Sequence, residues 1–436
     1  MAKIITVILK KIIPKRFHSS IRKTYHSFQC FKLRINIKQA NFNHNKAIKD
    51  LIGKKKIKIA FVLIHHGVWK YDSLYNEFNR NKLYEPIVII CPFIKNGDED
   101  MWEALNKAEK MCQKNGYKYF DTWDSEKKLW RDFKQELQPD IVFFSIPHAI
   151  TRSEYCIKNF SKTLTCYVPY SIRTDHLVDL AFNSDFQQLT WKNFYETIFH
   201  KKIAEEIAFN QGVNVEVVGY PTLELIRDKA QEYKKGSVKR IIWAPHWTIS
   251  KSALLNRSCF LEYYDFFIEL ANQHLDTIEI ILRPHPFLKR TLYELDGWGK
   301  KRTDDYFSVW DSTSNLSVNN DDYIGLFASS DLLIHDSVSF LAEYLVTSNP
   351  TIFTKRRDEL DPPFNEFGAI CLQAHYVYNN KEQLHEAILD ILFNGRDEKF
   401  EARQEIVNKY LLYEYNSSTN IYNIINRLIN NDDKTN

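Results

Sequence analysis

The chain has 436 residues, of which 44% are hydrophobic and 26% charged. This length exceeds one ordinary domain and favours two domains of roughly 150 to 200 residues, and the composition excludes a largely disordered chain. No run of 18 apolar residues occurs, which argues against a membrane-spanning helix or a secretory signal. The expected location is therefore the cytoplasm.

The seven cysteines are scattered and form neither a C-x-x-C pair nor a His/Cys spacing typical of metal ligands. Such a pattern is typical of a reducing compartment and argues against a disulfide framework or a structural zinc site. We expect seven free thiols and no bound metal.

The N-terminal segment is strongly basic. Residues 1–56 hold fifteen Lys and Arg side chains but one acidic residue, so they carry +14 and the remaining chain −10. Six aliphatic side chains within 4–13 fall on one face of a helix. Such a helix suits an anionic membrane surface contacted by residues 1–23; a packed helix with a solvated charged face is the alternative. Nucleic acid is not an expected partner, because aromatic side chains do not interleave the charges and the main body is acidic.

From residue 56 onward, apolar strand patterns alternate with helical patterns. The first series has strands at 56–64, 86–92, 140–148 and 163–170, and helix-compatible segments at 99–115 and 125–137. Strands this uniformly apolar are buried on both faces, which indicates a parallel sheet covered by helices.

The alternation restarts after about residue 212. Predicted strands are 215–221, 238–247, 278–286, 306–311, 331–336, 350–354 and 369–372, and predicted helices are 257–275, 338–347 and 381–394. The economical fold is α/β, with two doubly wound, Rossmann-like domains in tandem and a cleft between them. The expected divisions are a basic N-terminal helical arm (1–55), a first domain (56–212), a second domain (213–396) and a C-terminal segment (397–436) whose helix packs back across the first domain.

Three polar clusters directly follow predicted strands of the second domain. They are APHWT after 239–243, RPHP after 278–282 and HDSVS after 331–334. Because ligands bind beyond the carboxyl ends of strands in open parallel sheets, we expect the three clusters to share one cleft.

The third cluster passes from a strand end into a helix. Asp336 or Ser337 is placed to cap this helix, and Ser339 lies in its first turn. Backbone N–H groups and the positive end of the helix dipole attract an anion there. Glu343, four residues later on the same helix face, is placed to accept hydrogen bonds from ribose hydroxyls. An ordinary cap and an exposed glutamate are the alternatives.

The RPHP cluster adds a cation and an imidazole. Arg283 and His285 stand at the end of an apolar strand, beside the predicted helix start. A guanidinium and several hydrogen-bond donors around one helix N-terminus suit a diphosphate. The alternative is a proline-stopped strand with a solvated histidine.

The motifs IIWAPHWT, ILRPHP and SSDLLIHDSVSFLAEYLVTSNPTIF, in this order and spacing, resemble the C-terminal half of the CDP-glycerol glycerophosphotransferase family. These membrane-surface enzymes prime or polymerise teichoic acids and related capsular polymers. The similarity spans roughly 215–375 and is strongest at 329–353. It implies a GT-B architecture, with a CDP-activated donor in the C-terminal domain and no other cofactor. The matching positions are Ala244, Pro245, Trp247, Arg283, His285, Pro286, Asp336, Ser339 and Glu343.

Several positions depart from the family pattern. His246 stands where the family has threonine, Thr248 replaces an arginine, Ser337 replaces a tyrosine and Val338 the first serine. We assign His246 and Ser337 to the donor site with the matched residues. In the first domain, the stretch YVPYS lacks the histidine that family members place near the attacking hydroxyl. The same elements also resemble bacterial CMP-sugar transferases, for which CMP is again the leaving group.

The predicted reaction transfers glycerol phosphate, or a related polyol phosphate, from a CDP-activated donor to a hydroxyl of a cell-surface glycan or lipid-linked acceptor. CMP is released, and His285 stabilises its departing phosphate. His65 or His66, directly after the first strand, is the candidate base. The enzyme is expected to act on the inner face of the cell membrane.

Two other functions remain open from the sequence. One is a GT-B glycosyltransferase that uses a CMP-, CDP- or UDP-sugar in capsule or lipopolysaccharide synthesis, with Asp72, Glu154 or Asp175 as its acidic base. The other is a non-catalytic, membrane-docked scaffold of polymer assembly.

Overall fold

The structure is a computed structural model that describes residues 18–95, 97–249, 257–320, 323–356, 364–412 and 416–430. Two parallel sheets, each packed between layers of helices, form two Rossmann-like domains. The α/β class and the tandem arrangement predicted from the alternating pattern are therefore confirmed.

The first domain is built on a seven-stranded parallel sheet in the order β3-β2-β1-β6-β7-β8-β9. The order reverses between β1 and β6, which is the position at which doubly wound sheets bind ligands. The chain supplies β1 (Ile57–Leu63), β2 (Tyr84–Ile90), β3 (Tyr119–Asp121), the antiparallel ribbon of β4 (Trp123–Asp124) and β5 (Leu129–Trp130), then β6 (Ile141–Phe144), β7 (Leu164–Tyr167), β8 (Lys192–Tyr195) and β9 (Val215–Val217).

Helices of varied length connect these strands. They are α1 (His18–Leu51), α2 (Asp72–Arg80), α3 (Asp98–Asn115), α4 (Phe133–Leu137), α5 (Val178–Phe182), α6 (Asp185–Leu189) and α7 (Ile198–Ile207), with 3-10 turns at His66–Val68, Ser153–Tyr155 and Ile157–Asn159.

The second domain has a six-stranded parallel sheet in the order β12-β11-β10-β13-β14-β15. Its strands are β10 (Lys239–Ala244), β11 (Ile278–Leu282), β12 (Leu316–Val318), β13 (Leu332–His335), β14 (Thr351–Thr354) and β15 (Tyr376–Tyr378). Because β10, β11 and β13 are adjacent, the loops that follow them meet at one edge of the sheet.

The helices after β9 complete the second domain and return the chain to the first. They are α8 (Pro221–Glu232), α9 (Phe260–Tyr263), α10 (Phe266–Gln273), α11 (Leu288–Glu294), α12 (Gly299–Ser312), α13 (Tyr323–Ala328), α14 (Phe340–Glu343), α15 (Glu366–Leu372), α16 (Lys381–Phe393), α17 (Phe400–Ile406) and α18 (Ser417–Asn430), with a 3-10 turn at Tyr344–Thr347 and a π-helical turn at Val407–Leu411.

The central strands are buried on both faces. In β1, Ile59 and Phe61 pack into the core on one side of the sheet, while Ala60 and Val62 pack into the core on the other. This burial explains why the strand reads as a continuous apolar run.

Two peripheral helices pack against the first domain. In α1, Leu51 enters the core, and the Asn43 side chain donates a hydrogen bond to the Ser161 carbonyl over 2.8 Å. From the other end of the chain, Ile421 and Ile425 of α18 enter the same core. The predicted surface helix at 4–13 lies outside the described residues.

The two domains touch closely around Thr174. Its hydroxyl donates to the Val338 carbonyl over 2.6 Å, and its own carbonyl accepts the Asn365 N–H over 3.0 Å. A Cβ at Gly368 would lie 2.2 Å from the same carbonyl, so only glycine permits this approach. The contact holds the second domain's HDSVS loop against the first domain.

Two predicted strands were wrong, and a third belongs to the other sheet. Residues 306–311 belong to α12, where Tyr306, Phe307 and Trp310 are buried on one helical face. Residues 369–372 belong to α15, whose start is capped by the Asn365 side chain. The strand predicted at 215–221 to open the second series is instead β9, which pairs with β8 at the edge of the first sheet.

Among the described residues, no helix combines the length and apolar character needed to cross a bilayer.

Candidate functional site

The three polar loops of the second domain lie side by side. The His285 N–H donates to the Pro245 carbonyl over 3.1 Å, which ties the RPHP loop to the APHWT loop. Asp336 of the third loop accepts the His246 N–H over 2.6 Å. The structure therefore brings together the three clusters that the sequence placed at separate strand ends.

His285 presents one nitrogen as a hydrogen-bond donor. Its Nδ1 accepts the Phe287 N–H over 3.1 Å, so in the neutral ring the proton resides on Nε2. Burial, together with the charge of nearby His246, holds the pKa of His285 well below its usual range. At neutral pH the ring is a neutral donor, which can bind a phosphate oxygen without carrying a charge.

His246 packs against His285, and its predicted place in the donor site stays a prediction. The two ring centroids are 5.0 Å apart, and His246 Nδ1 lies 2.8 Å from the Thr248 hydroxyl. Burial, with a contribution from the Arg257 charge, lowers the pKa of His246 to about 4. Trp247 closes the cluster with its ring 5.9 Å from that of His285. This packing fixes the orientation of His285.

Asp336 does not cap the helix that follows it. It is 2% exposed, and its two carboxylate oxygens accept the His246 and Cys259 N–H groups, each over 2.6 Å. Burial raises its pKa to about 7, although the two backbone hydrogen bonds oppose that shift. The predicted capping role is therefore wrong: Asp336 connects two loops, and its contact with the donor stays a prediction.

The turn after Asp336 is shorter than the helix predicted at 338–347. The Ser337 hydroxyl oxygen accepts the Ser339 N–H over 3.3 Å, and α14 spans four residues before a 3-10 turn begins. Ser337 is buried, whereas Ser339 is half-buried. Ser339 is thus the serine of this loop that retains a solvent-facing position for a ligand.

Glu343 is not the exposed glutamate of the alternative interpretation, and its predicted contact with a ribose stays a prediction. It is 2% exposed, and the Tyr323 hydroxyl donates to its Oε2 over 2.7 Å. Burial raises its pKa, whereas the Lys70 charge and a hydrogen bond from the Ile172 amide lower it. Its carboxylate is engaged at the domain junction, because α14 turns this helix face toward the first domain rather than toward the open cleft.

Arg283 lies between the donor loops and the domain junction. Its Nη1 donates to the side-chain and main-chain oxygens of Asn319, and its guanidinium carbon is 5.6 Å from the centre of the Tyr323 ring. The guanidinium is therefore held in a defined direction, next to His285 in the chain.

The first domain has a crevice at its own strand ends. Its volume is about 720 Å³, and it opens beyond β1 and β6, where the strand order reverses. Its lining is mainly apolar and includes Ile64, Ile94, Phe144, Ile146, His148 and Tyr155. A second crevice of about 680 Å³ lies beside α1, away from these strand ends, and includes none of the predicted site residues.

His65 and His66 follow Ile64, which lines this crevice, but neither histidine is itself among the lining residues. Their rings stack with centroids 4.7 Å apart, and His65 Nδ1 accepts the Gly67 N–H over 3.1 Å. Burial and the charge of Lys107 lower the pKa of His65. Because Nδ1 of His65 accepts a hydrogen bond, the neutral ring carries its proton on Nε2, which leaves His66 as the preferred candidate for a base.

Two residues of this region were missed from sequence. His148, exposed in the loop after β6, lines the crevice, but it was read as the end of a longer strand. Lys70, between two aromatic residues, is 5% exposed, and its ammonium donates to the Tyr323 hydroxyl of the second domain. The sequence feature that could have drawn attention to Lys70 is its position between Trp69 and Tyr71.

The three acidic residues considered for a glycosyltransferase base are all engaged. Asp72 accepts hydrogen bonds from Trp69 and Tyr117, Glu154 pairs with Arg152, and the fully buried Asp175 pairs with Arg173 over 2.8 Å. Within the described ranges, no group of three or more His, Cys, Asp or Glu side chains is arranged to hold a metal ion.

Two Rossmann-like domains in tandem, each built on a parallel sheet, define a GT-B fold. No family model and no curated protein sequence matches the chain. Solved structures with the same fold include the wall teichoic acid polymerase TagF, with a TM-score of 0.55 and 14% identity over 95% of this chain and 99% of that one. The UDP-GlcNAc 2-epimerase of Neisseria meningitidis bound to UDP-GlcNAc has a TM-score of 0.55 and 14% identity over 85% and 100% of the two chains.

Proposed function

We propose that the protein transfers glycerol phosphate, or a related polyol phosphate, from a CDP-activated donor to an acceptor hydroxyl. The observation that carries the proposal is the convergence of the APHWT, RPHP and HDSVS loops, whose motifs resemble those of the CDP-glycerol glycerophosphotransferases. The similarity in fold to TagF, a wall teichoic acid polymerase, is consistent with it.

The donor diphosphate is placed against the second domain. Arg283 supplies a fixed positive charge, His285 an N–H at Nε2, and Ser339 a hydroxyl at the start of α14. Phosphoryl transfer depends mainly on positioning and on stabilising charge. Hydrogen-bonding groups that are already in place around the departing phosphate stabilise its charge without having to reorganise during the reaction.

The acceptor is placed in the crevice beyond β1 and β6. Its hydroxyl oxygen forms a bond to the distal phosphorus while the bond from that phosphorus to the bridging oxygen breaks, so CMP leaves with the electron pair. The hydroxyl proton passes to a base on the first domain, for which His66 is the leading candidate and His148 the next. The apolar lining suits an acceptor that is partly apolar, such as a lipid-linked glycan.

A donor screen tests the reaction. The full chain is incubated with CDP-glycerol, CDP-ribitol, CMP-sugars and UDP-sugars, and the linkage in the product is determined by mass spectrometry and phosphorus NMR. The expected result is CMP release with a new phosphodiester. A glycosidic linkage would instead establish the glycosyltransferase, and absence of turnover with every donor would favour the scaffold.

We further propose that residues 1–23 bind an anionic membrane. The seven Lys and Arg side chains of this segment are expected to contribute about 1 kcal/mol each near such a surface. Removing residues 1–23 should release the protein from phosphatidylserine vesicles in a sedimentation assay and leave its thermal unfolding unchanged. Vesicle binding that survives the deletion would contradict this proposal.

A further inference from the structure

A buried polar cluster joins the two domains beside Arg283. Lys70, from the loop after β1, reaches across to the second domain, where its ammonium donates to the Tyr323 hydroxyl and lies 4.2 Å from the centre of that ring. The same ammonium lies 5.8 Å from the centre of the Tyr220 ring, in the segment that links β9 to α8. Three distant parts of the chain therefore meet at one point.

One hydroxyl of this cluster has no hydrogen-bond partner among the described residues. Tyr220 is 1% exposed, and its hydroxyl oxygen is buried and unpaired. Buried polar groups are nearly always hydrogen-bonded, so an orphaned hydroxyl indicates a water or ligand that completes it. Within the described part of the chain, Glu196 Oε1 is also buried without a hydrogen-bond partner, and the charge of Glu343 acts on the pKa of both Tyr220 and Glu196.

The cluster sets the charges of Lys70 and Arg283 against the Glu343 carboxylate, which the Tyr323 hydroxyl binds, and its remaining donors suit a phosphate. Lysine and arginine offer N–H donors and positive charge, and a tyrosine hydroxyl adds an O–H donor. The Arg283 guanidinium and the Lys70 ammonium lie over the same Tyr323 ring, at 5.6 Å and 4.2 Å from its centre. An anion held by Arg283 on the donor side is therefore close to a cation supplied by the first domain.

We propose that Lys70 and Tyr220 bind the distal phosphate of a nucleoside diphosphate donor, the phosphate that is transferred. This inference rests on the proposed function for the nature of the donor. The second domain holds the nucleotide and its proximal phosphate, and Lys70 neutralises the distal one. The donor site is thus completed by the first domain, so that a nucleoside monophosphate uses only part of it.

Comparing CMP, CDP and pyrophosphate by calorimetric titration of the full chain tests this assignment. The wild-type protein should bind CDP more tightly than CMP. Lys70→Met should lower the affinity for CDP and pyrophosphate by about tenfold or more, as expected for a lost charged hydrogen bond, and leave CMP affinity unchanged. The matched control is Lys82→Met. Lys82 is an exposed lysine directly before β2, at the other end of the first domain's strands, and its substitution should change none of the three affinities.

A second variant covers the case in which Lys70→Met fails to fold. Tyr220→Phe removes a hydroxyl that has no partner, so the melting temperature should not fall, yet CDP affinity should drop several-fold. Equal losses for CMP and CDP in Lys70→Met, or unchanged CDP affinity in both variants, would overturn the assignment.

The donor screen separates this inference from the proposed reaction. Lys70-dependent CDP binding without any phosphodiester product would retain the phosphate site and reject the reaction. A phosphodiester product combined with Lys70-independent CDP binding would retain the reaction and reject the site.

Discussion

The two domains differ in what lies at the equivalent ends of their strands. In the second domain, hydrogen bonds through Asp336 and Pro245 tie three loops together, and Asn319 holds the Arg283 guanidinium. In the first, a crevice opens that is mainly apolar and includes His148. The difference indicates a division of tasks: fixed donors suit one charged group of constant shape, whereas an apolar crevice suits a larger and more varied molecule.

The sharpest test of this division concerns the base in the first domain. His66→Ala should lower kcat by about 10²- to 10⁴-fold, the usual contribution of a general base. His65→Ala should cost less, because its Nδ1 already accepts the Gly67 N–H. Steady-state CMP release measures both variants, and a greater loss in His65→Ala would show that the pair is assigned in the wrong order.

In the second domain, His285→Ala should lower kcat/KM by about 10²- to 10³-fold. This is the usual loss when an enzyme is deprived of one hydrogen-bonding group that stabilises developing charge. The control is His274→Ala, a histidine of the same domain that lies before β11 rather than after it, and it should retain full activity. Retained activity in His285→Ala would show that the RPHP loop does not contact the reacting phosphate.

CMP, which lacks the distal phosphate, should stabilise the protein through the second domain alone. CMP at 100 times its dissociation constant should raise the free energy of unfolding by about 2.7 kcal/mol. At the same CMP concentration, His285→Ala should lose most of this gain, and His148→Ala in the first domain should keep it. Denaturant unfolding with and without CMP provides the measurement; a loss of the gain in His148→Ala would contradict the division between domains.

A pH dependence tests the role of Asp336, which connects two loops of the second domain. Since burial raises the pKa of Asp336 to about 7, the folded protein keeps a proton that the unfolded chain releases near pH 4. The stability contributed by this proton is complete below about pH 4 and is lost as the pH rises through about 7. Compared with Asp336→Asn, the wild-type free energy of unfolding should fall across this window by up to about 1.4 kcal/mol per pH unit.

Unfolding curves between pH 4 and 8 measure that difference. Asp276→Asn changes an exposed carboxylate before β11 and should run parallel to the wild type. Parallel curves for Asp336→Asn as well would mean that its carboxyl ionises normally in the folded protein.

The central strands and the convergence of the donor loops could be predicted from the sequence. β1, β2, β10, β11 and β13 are continuous apolar runs, and the loops after neighbouring parallel strands must meet. Short strands such as β3, β8, β12 and β15 were not predicted, because three or four residues carry too little periodicity. The aromatic run at 306–311 fits both a strand and a helical face, and packing decided in favour of the helix.

The parts of the site that escaped prediction depend on contacts between distant residues. Lys70 and Tyr323 are separated by 253 positions, so no local pattern joins them. Asp336 follows a strand as a ligand contact would, but its carboxylate serves backbone amides of two other loops. Glu343 lies on the predicted helix face, and the direction of that face was set by the docking of the first domain.

The return of α18 to the first domain has a consequence for dissecting the molecule. Ile421, Ile425 and Ile429 pack into the same hydrophobic core as β1. A fragment that ends after β9 lacks α18 and would expose the apolar surface that these side chains cover. A single cut in the chain therefore cannot separate the two halves without removing part of the first domain's core. Separating the halves for study calls for a circularly permuted or spliced gene that carries 417–430 along with the N-terminal half.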